Sequence, residues 1–441
     1  MKGVSLHTVF QSKNGLKTVL AQSWSMLKKV DDNILKFYLS NIKMGRTERK
    51  RRQTKQRKFR ACDHEMEIVQ LNSWLSKQGV RRNHKLVLAI FDDTGRGVLT
   101  KKKISAGEEF INLPLNSTIN VITILTDIPF CNIFLKNKKP CLSDYKKSVT
   151  FQSLFAFYLT YLKFLGSESK WYLYLNSLPK EYTVPYFLPS NIQCEVDSDI
   201  FSVISKQKDE INNSYCIFNS IIQSSVCEND YLVQQWKENF KLEVYEWAYF
   251  TVNTRCNLNQ DIFSDVWFSI YTKNDFDPFT EVFICYGDSH NLKLITEYGF
   301  FLPANDLDYV TFSFESIIEF LNANSQRLSQ EQNSFINNHG LNKDLYIDIK
   351  GLSYNLYGLL MVVKYFYDQT MNVSRLIYSA AVCSNNEDLN DILRPMVRVK
   401  IDKIKLSINK LMGYGVKSVI LSNCVGLMSQ YVNILEKFIK C

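Results

Sequence analysis

The sequence predicts an α+β fold: a β-rich core interrupted by a helical insert at about 145–250 and followed by an all-helical domain over 304–441. Three observations support this. Strand-like runs occur at Lys85–Phe91 and Phe110–Leu113, then again at Phe268–Tyr271 and Val282–Cys285. Between the two pairs Gly and Pro thin out and apolar residues recur at helical spacing. Beyond Pro303 only helical spacing remains. Strands, helices, strands, helices in that order imply one β-rich body carrying helices in two places.

Residues 1–64 read as an extension and basic arm, expected to be disordered. Val19, Leu20, Trp24, Leu27, Ile34 and Phe37 have no clear partner element; a weak amphipathic helix is the alternative. Met44-Gly45-Arg46-Thr47 looks like a native start, a methionine directly ahead of a basic arm. Ten basic residues between Lys43 and Arg60 face one acid, Glu48, and account for the net charge of +9. A polar segment of this kind stays unfolded alone. It reads first as a nuclear-import address, which places the protein in nucleus and cytoplasm, or more plainly as a solvated tail. A nucleic-acid footprint needs more than charge, and nucleic acid is not an expected partner.

The β-rich body spans 65–303. Met66, Ile68, Val69, Leu71, Trp74 and Leu75 suit a short amphipathic helix over Glu65–Leu75. Between the first two strands, Asp92-Asp93-Thr94-Gly95-Arg96-Gly97 reads as a turn-rich loop. In the insert, Phe151, Leu154, Phe155, Tyr158, Leu159 and Leu162 form an apolar stripe, and Pro179 and Pro185 punctuate a loop. The chain ends on its cleanest pattern. Val397, Ile401, Ile404, Ile408 and Leu411 form one seam, and Ile420, Cys424, Leu427, Tyr431, Ile434 and Phe438 a second. Met412-Gly413-Tyr414-Gly415 lies between them, so the pattern is an αα-hairpin.

Composition excludes several classes. Apolar residues make up 46% of the chain, enough for a large core, yet no apolar run reaches 18 residues. The longest candidate, Leu359–Tyr367, is broken by Lys364, so no transmembrane helix and no membrane partner are expected. The eleven cysteines are odd in number, scattered, and never spaced C-x-x-C. Neither a disulfide framework nor a metal site is expected, and reduced thiols fit best. The five histidines are dispersed.

Candidate functional residues cluster in short motifs. Gly95-Arg96-Gly97 would let backbone approach a bound molecule closely, although an ordinary hairpin loop has the same composition. It lacks the G-x-G-x-x-G spacing of a dinucleotide site. Ile104-Ser105-Ala106-Gly107-Glu108 follows. Downstream come Trp171, Leu178-Pro179 with Tyr182, Val252-Asn253-Thr254-Arg255, then Glu281-Val282-Phe283-Ile284-Cys285-Tyr286-Gly287 and Glu297-Tyr298-Gly299-Phe300. Arg255 alone would be a surface ion-pair residue, and Tyr298 and Phe300 alone would be core aromatics.

In this order, and around this insert, the motifs resemble those of the SET-domain methyltransferases of the Rubisco large-subunit methyltransferase class, over roughly residues 65–440. The resemblance implies a protein-lysine N-methyltransferase that uses S-adenosyl-L-methionine and acts on a histone or another protein through a target lysine. Histidine methylation is an alternative within the class. It implies cofactor contacts from Gly95, Arg96, Gly97, Arg255 and Tyr286, catalysis by Tyr286, and a lysine channel lined by Tyr298 and Phe300. It also implies that the helical domain over 304–441 binds the protein substrate; a merely stabilising bundle is the plainer reading. Methyl transfer to an amine is an in-line displacement that needs alignment more than acid–base machinery. The lysine must first lose its proton, which a neighbouring cation favours.

The sequence departs from the class at one place. Between Arg255 and Tyr286 there is no Asn-His pair, the feature that in the class holds the cofactor's adenine and amino group. Asn83-His84 and Asn338-His339 lie elsewhere, and His290-Asn291 is reversed. Either a stretch near Cys256–Trp267 is missing through a skipped exon or faulty gene model, the favoured account, or the protein is a catalytically inactive SET-like binding protein. The chain as written is expected to bind S-adenosylmethionine weakly.

Overall fold

A computed structural model of the protein describes residues 6–11, 59–92, 94–135, 149–223, 231–255, 267–284, 287–370, 372–379, 389–415 and 418–440. The first β layer comprises β1 (Leu6–Gln11), β2 (Phe59–Ala61), β3 (Arg81–Arg82), β4 (Leu86–Phe91), β5 (Gly95–Thr100), β6 (Glu109–Pro114), β7 (Trp267–Thr272) and β8 (Glu281–Val282). They form two antiparallel sheets, in the orders β1-β7-β6-β3 and β2-β4-β5-β8. Each sheet therefore joins strands from before and after the insert: β6 pairs with β7, and β5 with β8. Leu6–Gln11 adds to the edge of β7, where the composition of residues 1–64 predicted no ordered element. An exposed edge presents unpaired N–H and C=O groups to any extended segment within reach.

The helix expected over Glu65–Leu75 is α1 (Met66–Lys77). The insert contains α2 (Val121–Thr126), α3 (Ile128–Leu135), α4 (Phe151–Leu165), α5 (Tyr172–Ser177), α6 (Ser198–Gln223), α7 (Tyr231–Asn239) and α8 (Leu242–Arg255). α4 opens on a capping box between Thr150 and Ser153. The predicted stripe on α4 is only part of its buried surface. Phe151 is exposed, whereas Ala156, Phe157 and Tyr161 are buried beside Tyr158, Leu159 and Leu162, because neighbouring helices surround it. Phe157 stacks on Phe218 at 4.3 Å and on Trp236 at 5.0 Å, and Phe130 meets it at 5.5 Å.

After 303 the chain is helical with a small addition. Strands β9 (Tyr309–Thr311), β10 (Tyr346–Asp348) and β11 (Gly351–Leu352) form a three-stranded sheet, in segments too short for an alternating pattern to announce them. Helices α9 (Phe314–Ala323), α10 (Gln330–Asn338) and α11 (Tyr354–Tyr365) start at Ser313, Ser329 and Ser353, whose hydroxyls accept from backbone N–H groups of the first turn. α12 (Val373–Ser379) precedes the hairpin of α13 (Asn390–Gly413) and α14 (Val419–Lys440). Most of the predicted seam is buried: Val397, Ile401, Ile404 and Leu411, and Cys424, Leu427, Tyr431 and Ile434, while Ile408, Ile420 and Phe438 are half-buried against the same core.

Two large apolar cores result, and α6 belongs to both. Ile200 and Ile204, near its start, lie in the core of the C-terminal helices, with Leu188, Ile192, Val196 and Ile295. Ile211, Phe218 and Ile222, further along, lie in the core of the insert. Polar ties fix the start of α6: Thr311 Oγ1 donates to Asp199 at 2.6 Å, and Lys400 Nζ lies 3.5 Å from Asp197. Among the described residues no helix is long and apolar enough to cross a membrane.

Phe157→Ala removes the ring at the centre of the insert's aromatic cluster. The expected loss is about 3–5 kcal/mol, read as a lower urea midpoint at unchanged slope.

Candidate functional site

Gly95, Arg96 and Gly97 are not in a loop. They are the first three residues of β5, and the turn lies just before them. Antiparallel pairing with β4 draws them in, Gly97 facing Ala89 and Gly95 facing Phe91. Gly95 has φ +77° with open space where a Cβ would stand, so both its conformation and its surroundings permit close approach of a ligand. At Gly97 the reason for glycine is internal. A Cβ there would stand 2.8 Å from Glu281 Oε1 and 2.9 Å from the Phe91 ring. Glu281 also accepts from Thr94 Oγ1 at 2.5 Å, and Arg96 Nη1 donates to the Ser177 carbonyl at 2.5 Å. The start of β5 thus gathers β8 and the C-terminal end of α5.

From Ser177 the chain runs into the loop Leu178–Pro185, which α8 anchors. Trp247 Nε1 donates to the Pro179 carbonyl at 2.8 Å, and Tyr182 and Thr251 join hydroxyls at 2.8 Å. Tyr186 donates to Glu246 at 2.6 Å; burial, then this carboxylate, push its hydroxyl well above the usual tyrosine range. Trp171 is buried, edge-on to Trp74 at 5.7 Å. Asn253 accepts from Gln152. Arg255 ends α8 and is exposed, with its guanidinium 3.5 Å from the Thr254 carbonyl.

The loop meets the Tyr298-Gly299-Phe300 turn. Leu294–Tyr298 is a π-helical run, wider than an α-helix, and it closes on Gly299 at φ +79°. A Cβ on Gly299 would stand 2.5 Å from Thr183 Oγ1 and 2.9 Å from the Thr183 carbonyl oxygen. Thr183 Oγ1 donates to the Gly299 carbonyl at 3.0 Å, and Asn423 Nδ2 of α14 donates to the same oxygen at 2.9 Å. On either side, the rings of Tyr298 and Phe300 sit 6.4 Å apart. Tyr298 is half-buried and Phe300 exposed, so neither is the core aromatic of the plainer reading.

The approach to this turn is fixed by Asn291, which is fully buried. Its backbone N–H and Nδ2 donate to Asp308 at 2.6 and 2.7 Å, Nδ2 also reaches the Leu302 carbonyl, and Oδ1 accepts from Leu302 N–H. His290 caps the helical turn that follows, and burial lowers its pKa. His290-Asn291 is therefore structural. Tyr286 lies outside the described residues, as does the stretch 256–266. The structure brings Gly95–Gly97 to Glu281 and Ser177, and sets Tyr298 and Phe300 side by side. Sequence reading missed Ser177, Thr183 and Asn423, which act through backbone carbonyls and carry no motif.

These elements make up a split β body, a helical insert, a pinned Tyr-Gly-Phe turn and a helical C-terminal region. The fold is that of the Rubisco LSMT SET domain solved with lysine and AdoHcy, with a TM-score of 0.55 over 86% of this chain and 91% of that one at 14% identity. The AdoMet-bound structure of Rubisco LSMT gives a TM-score of 0.56.

In sequence the chain is similar to SET domain-containing protein 4. It is 25% identical to the mouse protein over 383 residues, covering 78% of this chain and 83% of that one. It is 24% identical to the Artemia parthenogenetica protein over 348 residues, 70% and 82% of the two chains. The ribosomal lysine N-methyltransferase set11 of Schizosaccharomyces pombe is 23% identical over 369 residues, covering 74% of this chain and 85% of its own. No protein-family model matches the chain.

Gly299→Ala combines a left-handed backbone with a clash against Thr183. It is expected to cost about 1–3 kcal/mol and to lower the thermal midpoint. Burial pushes the Glu297 carboxyl above its usual range, and Lys293 partly offsets this. A folded pKa above the unfolded one costs stability as pH rises through that window. Glu297→Gln should therefore raise the thermal midpoint at pH 7 and leave it nearly unchanged at pH 4.

Proposed function

We propose that this protein is an S-adenosylmethionine-dependent protein-lysine N-methyltransferase. The observation that carries the reading is the Tyr298-Gly299-Phe300 turn, held from two sides in a fold shared with an enzyme solved with lysine and AdoHcy. The similarity to a ribosomal lysine N-methyltransferase over most of the chain supports the same chemistry. The acceptor is a histone or another protein. The basic run Lys43–Arg60 supports entry to the nucleus as well as residence in the cytoplasm.

Gly95 offers the cofactor open space at a backbone conformation free of side-chain hindrance, so the residues present fit it there. Arg96, Arg255 and Tyr286 are the further residues that would hold it. When bound, S-adenosylmethionine supplies an electrophilic methyl group. Tyr298 and Phe300 line the lysine channel and keep water from the amine. The Tyr286 hydroxyl orients the lone pair of the neutral amine. Alignment of this kind, rather than a strong base, is what an in-line displacement requires.

One observation favours a second reading, a SET-like binding protein without catalysis: the sequence has no Asn-His pair between Arg255 and Tyr286. The two are separated by calorimetry with S-adenosylmethionine and by transfer of its labelled methyl group to core histones and ribosomal proteins. The expected result is binding weaker than roughly micromolar, with transfer at saturating cofactor and methyllysine in the acid hydrolysate. Micromolar binding overturns the expectation of a weakened pocket. Absence of transfer at saturation overturns the enzyme reading, and methylhistidine overturns the choice of lysine. Tyr286→Phe is expected to lower kcat about a hundredfold.

A further inference from the structure

We infer that Asn423 is a positioning residue for the lysine channel, by which the C-terminal helices set the Tyr298–Phe300 turn. The inference rests on the methyltransferase reading for its functional half and on geometry alone for its structural half. The Gly299 carbonyl belongs to the peptide that joins Gly299 to Phe300, and it accepts from two distant segments. Thr183 reaches it from the insert at 3.0 Å and Asn423 from α14 at 2.9 Å. Neither donor belongs to a motif.

The approach of α14 is close at a second point. Gly426 lies three residues beyond Asn423, on the same side of the helix. A Cβ there would stand 2.9 Å from the Phe301 ring. Glycine at 426 thus lets the helix close on Phe301 while Asn423 holds Gly299, one on each side of Phe300. The side of α14 next to these residues carries Cys424 and Leu427, both fully buried in the C-terminal core. The Asn423 hydrogen bond and the close approach of Gly426 to the Phe301 ring therefore couple the hairpin to the turn. A rotation of the Gly299 peptide would turn Tyr298 and Phe300 relative to each other. For a displacement reaction, a misplacement on the order of 1 Å is felt in rate.

The test compares wild-type protein with Asn423→Asp, which keeps the shape and replaces the donor with an acceptor facing the carbonyl. Hydrogen exchange followed by mass spectrometry is expected to show at least about tenfold faster exchange in 294–302, with α11 unchanged. In turnover, kcat is expected to fall about tenfold and the ratio of mono- to higher methylated lysine to change, while the KM for S-adenosylmethionine stays constant. Unchanged exchange in 294–302 overturns the inference, whether or not the wild type methylates anything. If the wild type is active, a variant with wild-type kcat and methylation ratio overturns the functional half. If the wild type is inactive, the enzyme reading falls while exchange still decides the role of Asn423. Should Asn423→Asp fail to fold, Asn423→Ala removes the donor without adding charge and is read the same way.

Discussion

The molecule depends on α6 being buried at both ends in different cores. Its 26 residues extend about 39 Å at helical rise, and Ile200 and Ile204 at one end serve the C-terminal core while Ile211, Phe218 and Ile222 serve the insert. A rigid rod shared in this way fixes the distance and angle between two helical bodies that the sequence separates by the whole second half of the β layer. The polar ties at its start add direction, since Asp197 and Asp199 meet Lys400 and Thr311 only when β9 and α13 are in register with it. The π-helical run packs beside the same helix, where Gln207 of α6 donates to the Thr296 carbonyl at 3.2 Å.

The β layer contributes connection more than burial. Its apolar clusters are small, Leu86, Ile104, Phe110 and Phe276 in one and Val87, Ala89 and Leu99 in another. Its importance is that β5 pairs with β8 and β6 with β7 across the insert, so the glycines of the first half face Glu281 of the second. Those pairings span well over a hundred residues of chain, and such closures carry an entropic cost that the helical cores offset. The site is thus assembled at the meeting of a weakly buried sheet and two well-buried helical bodies.

The parts legible in the sequence were those with a period. The αα-hairpin seams repeat over several turns, and the structure buries most of their residues, with Ile408, Ile420 and Phe438 half-buried. The strands around the insert are legible as short apolar runs, but composition cannot tell a strand that starts on glycine, as β5 does, from a turn. Strands β9 to β11 were not legible: two or three residues do not establish a period. In the candidate site, Gly95, Arg96, Gly97, Tyr298 and Phe300 were legible as candidates because motifs carry them. Ser177, Thr183 and Asn423 were not, because each works through a main-chain carbonyl, and a backbone acceptor leaves no signature in the residue that donates to it or in the one that supplies it.

That last class of interaction is compatible with a fold shared at 14% identity with the Rubisco LSMT SET domain. A carbonyl such as that of Gly299 belongs to every residue type, and many side chains can donate to it, so the contact constrains position more than sequence. What cannot vary freely is glycine itself, where a Cβ at 299 would enter Thr183 and one at 97 would enter Glu281 and Phe91. The chemistry proposed for the site makes the same demand. In-line displacement needs an aligned amine, and backbone anchors can hold the walls around it without a network of charged side chains. Glycine at 97 and 299, with the geometry around each, meets both demands.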